Sequence, residues 1–125
     1  MHKTIAIPSI NKKGLKSKLS LHFGHCKTYA IITAKDNKVI KTKAIINSCA
    51  SEQRTCMTPV QHLLDNGVQI LITNSIGQRP LVYLNQAKIK IFYSDEKFIH
   101  EIIEDFLRGD LKRFKIQNIC DGVEE

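Results

Sequence analysis

Short apolar, β-branched runs alternate along this chain with polar, lysine-bearing stretches, and the spacing of the two predicts the order β-β-β-α-β-α-β-α. Lys3 to Pro8 (KTIAIP) reads as a buried strand stopped by proline. Residues 9 to 21 follow as a polar, lysine-rich loop. Lys27 to Ala34 and Val39 to Ile46 form a hairpin about the Asp36-Asn37-Lys38 turn. The alternation in its second arm is imperfect, as in an edge strand that turns lysines to water. A helix starts at Thr58, with Pro59 in its first position and Gln61 three residues after the cap, and ends at Asn66-Gly67. Val68 to Thr73 is continuously apolar and so reads as buried on both faces. A second helix runs from Gln78 or Pro80 to Ala87, a fifth strand from Ile89 to Tyr93, and a third helix from Glu96 to Leu107. Phe98, Ile102, Ile103 and Phe106 form the inner face of that last helix, and Gly109 stops it.

A hairpin that leads into two βα units predicts one mixed sheet with helices against it, a small α/β domain. The 125 residues suffice for one domain with its own core. Residues 1–115 are expected to form it, and residues 116–125 to be a C-terminal tail. In open sheets of this kind ligands sit beyond the carboxyl ends of the parallel strands, which singles out the loops after Pro8, Ile46 and Thr73.

The first of these loops carries Ser20-Leu21-His22-Phe23-Gly24-His25-Cys26, two imidazoles and a thiol around a glycine. Cys49 and Cys56 fall in the irregular stretch after Ile46, and Cys120 lies in the tail. No run is long and apolar enough to cross a membrane and no signal segment is seen, so a cytoplasmic location is expected. There the thiols stay reduced, and metal binding gains over disulfides. Taken singly, each cysteine reads as a small buried hydrophobe sooner than as a ligand.

Net charge is +7 but unevenly placed. Residues 1–43 hold ten lysines against Asp36 alone, a local +9, whereas residues 44–125 hold nine basic and eleven acidic groups, a net of −2. Such a field attracts an anion: nucleic acid, a phosphorylated small molecule, or a metal-sulfur cluster. Nucleic acid is disfavoured, because arginine is absent from residues 1–43 and only Phe23 and Tyr29 offer rings for stacking there.

Thiolate and imidazole are ligands for iron, zinc and copper, and thiolates anchor iron-sulfur clusters. No C-x-x-C pair exists, so a closed zinc site is the weaker reading. An open site in which a few protein ligands hold a cluster for later release suits the irregular spacing. Gly24 would let the backbone approach it, and the lysines would offset its charge. A nucleophilic pair of Cys26 with His22 or His25 lacks a nameable acid partner. Neither a phosphate-cradling G-x-x-x-x-G-K-[ST] loop nor a G-x-G-x-x-G fingerprint is present. His62 and His100 lie within helices and read as structural or solvent-facing.

Four blocks carry a family resemblance: Ile5-Ala6-Ile7-Pro8, the loop Ser20-x-His22-Phe23-Gly24, Ile76-Gly77-Gln78-Arg79-Pro80 leading to Leu84, and Phe106-Leu107-Arg108-Gly109-Asp110-Leu111. In these the chain resembles the dinitrogenase iron-molybdenum cofactor-binding family, the NifX/NafY type of domain also found at the C-terminus of NifB proteins. The resemblance implies a ribonuclease H-like three-layer fold with a five-stranded mixed sheet. It also implies binding or carriage of iron-sulfur or iron-molybdenum-sulfur precursors without catalysis, with His22 at the position of the family's histidine. Cys26 and the Cys56-Met57-Thr58-Pro59-Val60 segment resemble a cysteine-bearing branch of the family. In that branch a second cysteine lies shortly before the one matching Cys56. Here it is missing, and whether Cys49 replaces it stays open.

The expectation is therefore a cytoplasmic, non-catalytic metallocluster carrier or scaffold, monomeric or weakly dimeric, that meets metallocluster donor and acceptor proteins. His22, Cys26, Cys49 and Cys56 are the expected metal ligands, and Phe23, Gly24 and His25 complete the binding loop. The competing readings are a regulatory or interaction module that uses the basic face, and a structural zinc domain.

Overall fold

Alternation along the first two strands decides the architecture. The computed structural model describes residues 2–20, 28–46, 61, 63–74, 76 and 78–113. In β1 (His2–Ser9), Ile5 and Ile7 enter one buried cluster and Ala6 enters another. In β2 (Thr28–Lys35), Ala30, Ile32 and Ala34 join the former, and Tyr29 and Ile31 the latter. Side chains on a strand alternate between faces, so these clusters lie on opposite sides of the sheet.

Each cluster is closed by helical residues. Leu63 and Leu84 complete the one around Ala6, Tyr29 and Leu71, and Ile99, Ile102 and Ile103 complete the one around Ile5, Ile32 and Ile72. Leu84 belongs to α1 (Gln78–Gln86), which links the parallel strands β4 (Ile70–Thr73) and β5 (Lys90–Tyr93). The three isoleucines belong to α2 (Ile99–Leu107). Burial of each such side chain is worth about 1.5–3 kcal/mol.

The strand order is β3-β2-β1-β4-β5-β6, with β3 spanning Lys38–Ile46 and β6 spanning Lys112–Arg113. The pairs β1/β2, β2/β3 and β5/β6 are antiparallel, and β1/β4 and β4/β5 are parallel. Among the described residues the mixed sheet thus has six strands where five were expected. Two charged residues carry no strand pattern of their own. Their pairing with Phe92 and Tyr93 is supported by the Arg113 guanidinium, 5.5 Å from the Phe92 ring centre.

Other departures are local. Ile40 is an extra residue between the pairs Ala34↔Val39 and Thr33↔Lys41, a bulge that reverses the facing of everything before it. Val39 therefore packs on one cluster and Ile45 on the other, which accounts for the imperfect alternation of this edge strand. The loop expected over residues 9–21 contains a 3-10 turn at Gly14–Lys16 and is tied down at both Ser9↔Leu19 and Lys18↔Phe98. The last helix begins at Ile99 rather than Glu96. Phe98 is its cap residue, with extended backbone, and Ile99 takes the core position expected of Phe98. The Asp36-Asn37 turn is left-handed at both residues, as a two-residue hairpin of type I′ demands. The proposed cap at Thr58 and Pro59 lies outside the described residues.

Three helical segments end with the same hydrogen-bond pattern. Val68 N–H reaches Leu63 O at 3.1 Å, Ile89 N–H reaches Leu84 O at 3.0 Å, and Asp110 N–H reaches Asp105 O at 2.9 Å. In each, the residue before the donor adopts a left-handed conformation: Gly67 (φ 75°), Lys88 (φ 64°) and Gly109 (φ 78°). Only Lys88 carries a Cβ there, at a cost of about 1 kcal/mol. Lys88→Gly is expected to raise stability by about 0.5–1 kcal/mol in urea denaturation, the gain trimmed by glycine's greater unfolded entropy.

Candidate functional site

The carboxyl end of β1 is where the sheet opens. β1 pairs with β4 at Ile5 and Ala6. Pro8 has no N–H to continue that parallel ladder. Its carbonyl instead accepts the Ser20 N–H at 2.9 Å, and Leu19 bridges to Ser9. Ser9 meets Thr28 of β2 on its other side. The chain therefore leaves the described residues after Ser20 on one flank of β1 and re-enters at Thr28 on the other. Thr28 pairs in turn with Ile46, the last residue of β3. The exits after Ser20 and Ile46, and the entry at Thr28, thus share one sheet edge, which also carries the ends of β4 and β5.

This edge is lined by buried hydroxyls. Ser9, Thr28, Thr73 and Ser94 are all buried, each at the end or beginning of a strand or one residue past it. The Ser9 and Thr28 hydroxyl oxygens are 2.5 Å apart, and Thr28 donates to the Asn11 carbonyl at 2.7 Å. The Asn11 side chain accepts the Lys13 N–H at 2.9 Å, which folds the turn that carries the exposed Lys12 and Lys13. At the β5 end, Ser94 Oγ accepts the Glu96 N–H at 3.2 Å, and Ser94 N–H donates to Thr73 O at 3.3 Å. The sequence reading passed over Ser9, Asn11 and Thr28. The available signal was a hydroxyl at the boundary of each apolar run that flanks the histidine-bearing loop.

His22, Phe23, Gly24, His25, Cys26, Cys49, Cys56, His62 and Cys120 lie outside the described residues. Among the described residues no three His, Cys, Asp or Glu side chains gather into a potential metal site. His100 is exposed on α2 and stacks on Phe98, with ring centres 5.8 Å apart. No described helix is long and apolar enough to cross a membrane.

A sequence model of the family described as dinitrogenase iron-molybdenum cofactor matches residues 3–109. The Methanocaldococcus jannaschii protein MJ0580 is 28% identical over 112 residues, which cover 89% of this chain and 91% of that protein. Among solved structures, the Thermotoga protein TM1290, named as a candidate NifB protein, superposes with a TM-score of 0.75 at 27% identity, covering 89% of this chain and 92% of that one. The apo form of the orange protein from Desulfovibrio gigas gives a TM-score of 0.81 at 18% identity, covering 90% and 92%, a likeness of fold.

The acidic groups near the β5 end repel one another. Partial desolvation, with Asp105, Glu101 and Asp95 nearby, raises the Glu96 carboxyl above its ordinary 4.5. Its contribution to stability is accordingly full below that value and lost as pH rises through the raised one. Glu96→Gln should move the urea midpoint upward at pH 7 and leave it unchanged at pH 3, with the pH 7 gain shrinking in high salt.

Proposed function

The chain belongs to the dinitrogenase iron-molybdenum cofactor family, and from that premise we propose that it binds an iron-sulfur or iron-molybdenum-sulfur cluster, or its precursor, as cargo passed between donor and acceptor proteins, without catalysing a reaction. One observation carries this reading: the segments that hold His22 and Cys26, and Cys49 and Cys56, both join the sheet at the same edge, through Thr28 and its partner Ile46. Cys26 is two residues from Thr28 and Cys49 three from Ile46. Paired strands lie about 4.8 Å apart and each residue spans at most about 3.6 Å, so chain length permits both thiols to meet one cluster.

The donor set fits such a cargo. Three thiolates and an imidazole are the ligand types that hold iron-sulfur clusters, and a histidine in place of a thiolate leaves the site less negative. Phe23, Gly24 and His25 complete the loop, and a reducing cytoplasm keeps the thiols available. The strand order β3-β2-β1-β4-β5 with helical residues against both faces supports a ribonuclease H-like reading, with residues 1–115 as one domain.

A structural zinc role has less support. Among the described residues both buried clusters are closed by apolar side chains of strands and helices, a source of stability that needs no metal. A chelator is expected to leave the melting temperature within about 2 °C, whereas a structural zinc site would unfold.

Anaerobic reconstitution with iron and sulfide, with and without molybdate, followed by metal and acid-labile sulfide analysis and a visible spectrum, tests the carrier reading. Stoichiometric metal and sulfide are expected, lost in a His22→Ala, Cys26→Ala double variant. A folded protein that stays colourless and metal-free overturns the proposal.

A further inference from the structure

We propose that Thr28 is a positioning residue for the cargo site, its hydroxyl fixing where the histidine- and cysteine-bearing loop rejoins the sheet. The inference rests on the cluster-carrier reading above and names the residue that organises that site. Thr28 is 4% exposed and Ser9 is fully buried. Thr28 Oγ1–H donates to the Asn11 carbonyl at 2.7 Å, and the Ser9 hydroxyl oxygen lies within hydrogen-bond distance of Thr28 Oγ1, at 2.5 Å. Thr28 Oγ1 also lies 3.1 Å from the Ser9 carbonyl, and Ser9 Oγ lies 3.2 Å from the Asn11 carbonyl. No exposed solvent group is needed to complete the network, and no buried side-chain polar atom is left without a partner among the described residues.

Thr28 thereby ties three passages of chain together. Its side chain holds the Asn11 turn and the end of β1, while its backbone pairs with Ile46, three residues before Cys49. It stands two residues after Cys26. Ligands whose approach is fixed before binding lose less freedom on binding, and loss of one buried hydrogen bond that fixes it costs on the order of tenfold in affinity. A hydroxyl bond made to the backbone of a neighbouring turn supplies that fixing without touching the cargo.

The test compares Thr28→Val, which keeps the shape and removes the hydroxyl, with Thr28→Ser, which keeps the hydroxyl. Each protein is loaded anaerobically with iron and sulfide, and loss of the visible band to an iron(II) chelator is timed. Thr28→Val should release iron about tenfold faster or more, with an altered visible and circular-dichroism signature, and Thr28→Ser should restore both. Ser9→Ala, which leaves the Thr28 bond to Asn11 in place, should show a smaller acceleration and serves if Thr28→Val fails to fold. Equal release rates and spectra for the unaltered and Thr28→Val proteins, or Thr28→Ser as defective as Thr28→Val, overturn the inference while the carrier reading stands. With Thr28→Val unfolded, an unaccelerated Ser9→Ala overturns it too. An unaltered chain that takes up no cluster overturns both.

Discussion

Everything near the candidate site depends on a donor that one residue lacks. In a strand, the N–H and carbonyl of a given residue point to the same neighbour, and Pro8 directs its carbonyl away from β2. On that side a parallel ladder with β4 would need the Pro8 N–H. The ladder stops at Ala6, and Leu19 and Ser20 occupy the vacated flank of β1. A strand at the centre of the sheet therefore ends between two unlike neighbours: an incoming segment on one side, Thr28 on the other. The opening lies at β1, where the strand order turns from β3-β2-β1 to β4-β5, and such a reversal is where open α/β sheets place their ligands.

The strands were legible because Ile5-Ala6-Ile7 and Tyr29 to Ile32 are continuously apolar, as strands covered on both faces must be, whereas which face each residue takes was not. Glycine 67 and Gly109 marked helix ends for an equally direct reason, their positive φ. What stayed hidden was decided by contacts from far along the chain. Lys112–Arg113 becomes a strand only because Phe92 and Tyr93 present an open edge. Phe98 yields its core place to Ile99 because Lys18 and Ser17 bond the backbone there, with Ile99 N–H on Ser17 O at 3.1 Å. The bulge at Ile40 looks like weak patterning in one dimension and is a change of facing in three. At the candidate site, the types and order of the proposed ligands were readable, and so was the end of the sheet that the segments carrying them join. The hydroxyl network was not, because Ser9, Asn11 and Thr28 are ordinary polar residues at or just beyond strand ends until pairing brings them together.

Among the described residues apolar burial sits on the two faces of the sheet, while the segments that carry the proposed ligands join it at the strand ends. The described members of the clusters on the two faces are mostly branched aliphatic side chains on strands and helices. The aromatic rings extend this division. Phe92 and Phe106 meet edge to face at 5.4 Å, with Arg113 over the first and Lys3 5.6 Å from the centre of the second, so cations cap the ring pair at the protein surface. A carrier benefits from this separation, because loading and unloading then leave the folding equilibrium nearly untouched except through mass action.

On the proposed reading, the anchoring of the loop at both ends bears on how tightly a cargo would be held. The chain between Ser20 and Thr28 is seven residues long, and both of its anchors are fixed by hydrogen bonds to β1 before any ligand arrives. Closing so short a stretch costs little further entropy on binding, since the cost grows only with the logarithm of length. Each anchoring bond contributes about 0.5–1.5 kcal/mol net, enough to bias the approach of ligands and too little to lock them. The exposed Lys12 and Lys13, on the turn that Thr28 holds, add an attraction for negatively charged cargo that acts over about 10 Å and weakens with salt. On the proposed carrier reading, capture assisted by charge and retention by a few ligands would keep the barrier to release low, and that is the balance a protein needs if it is to surrender what it binds.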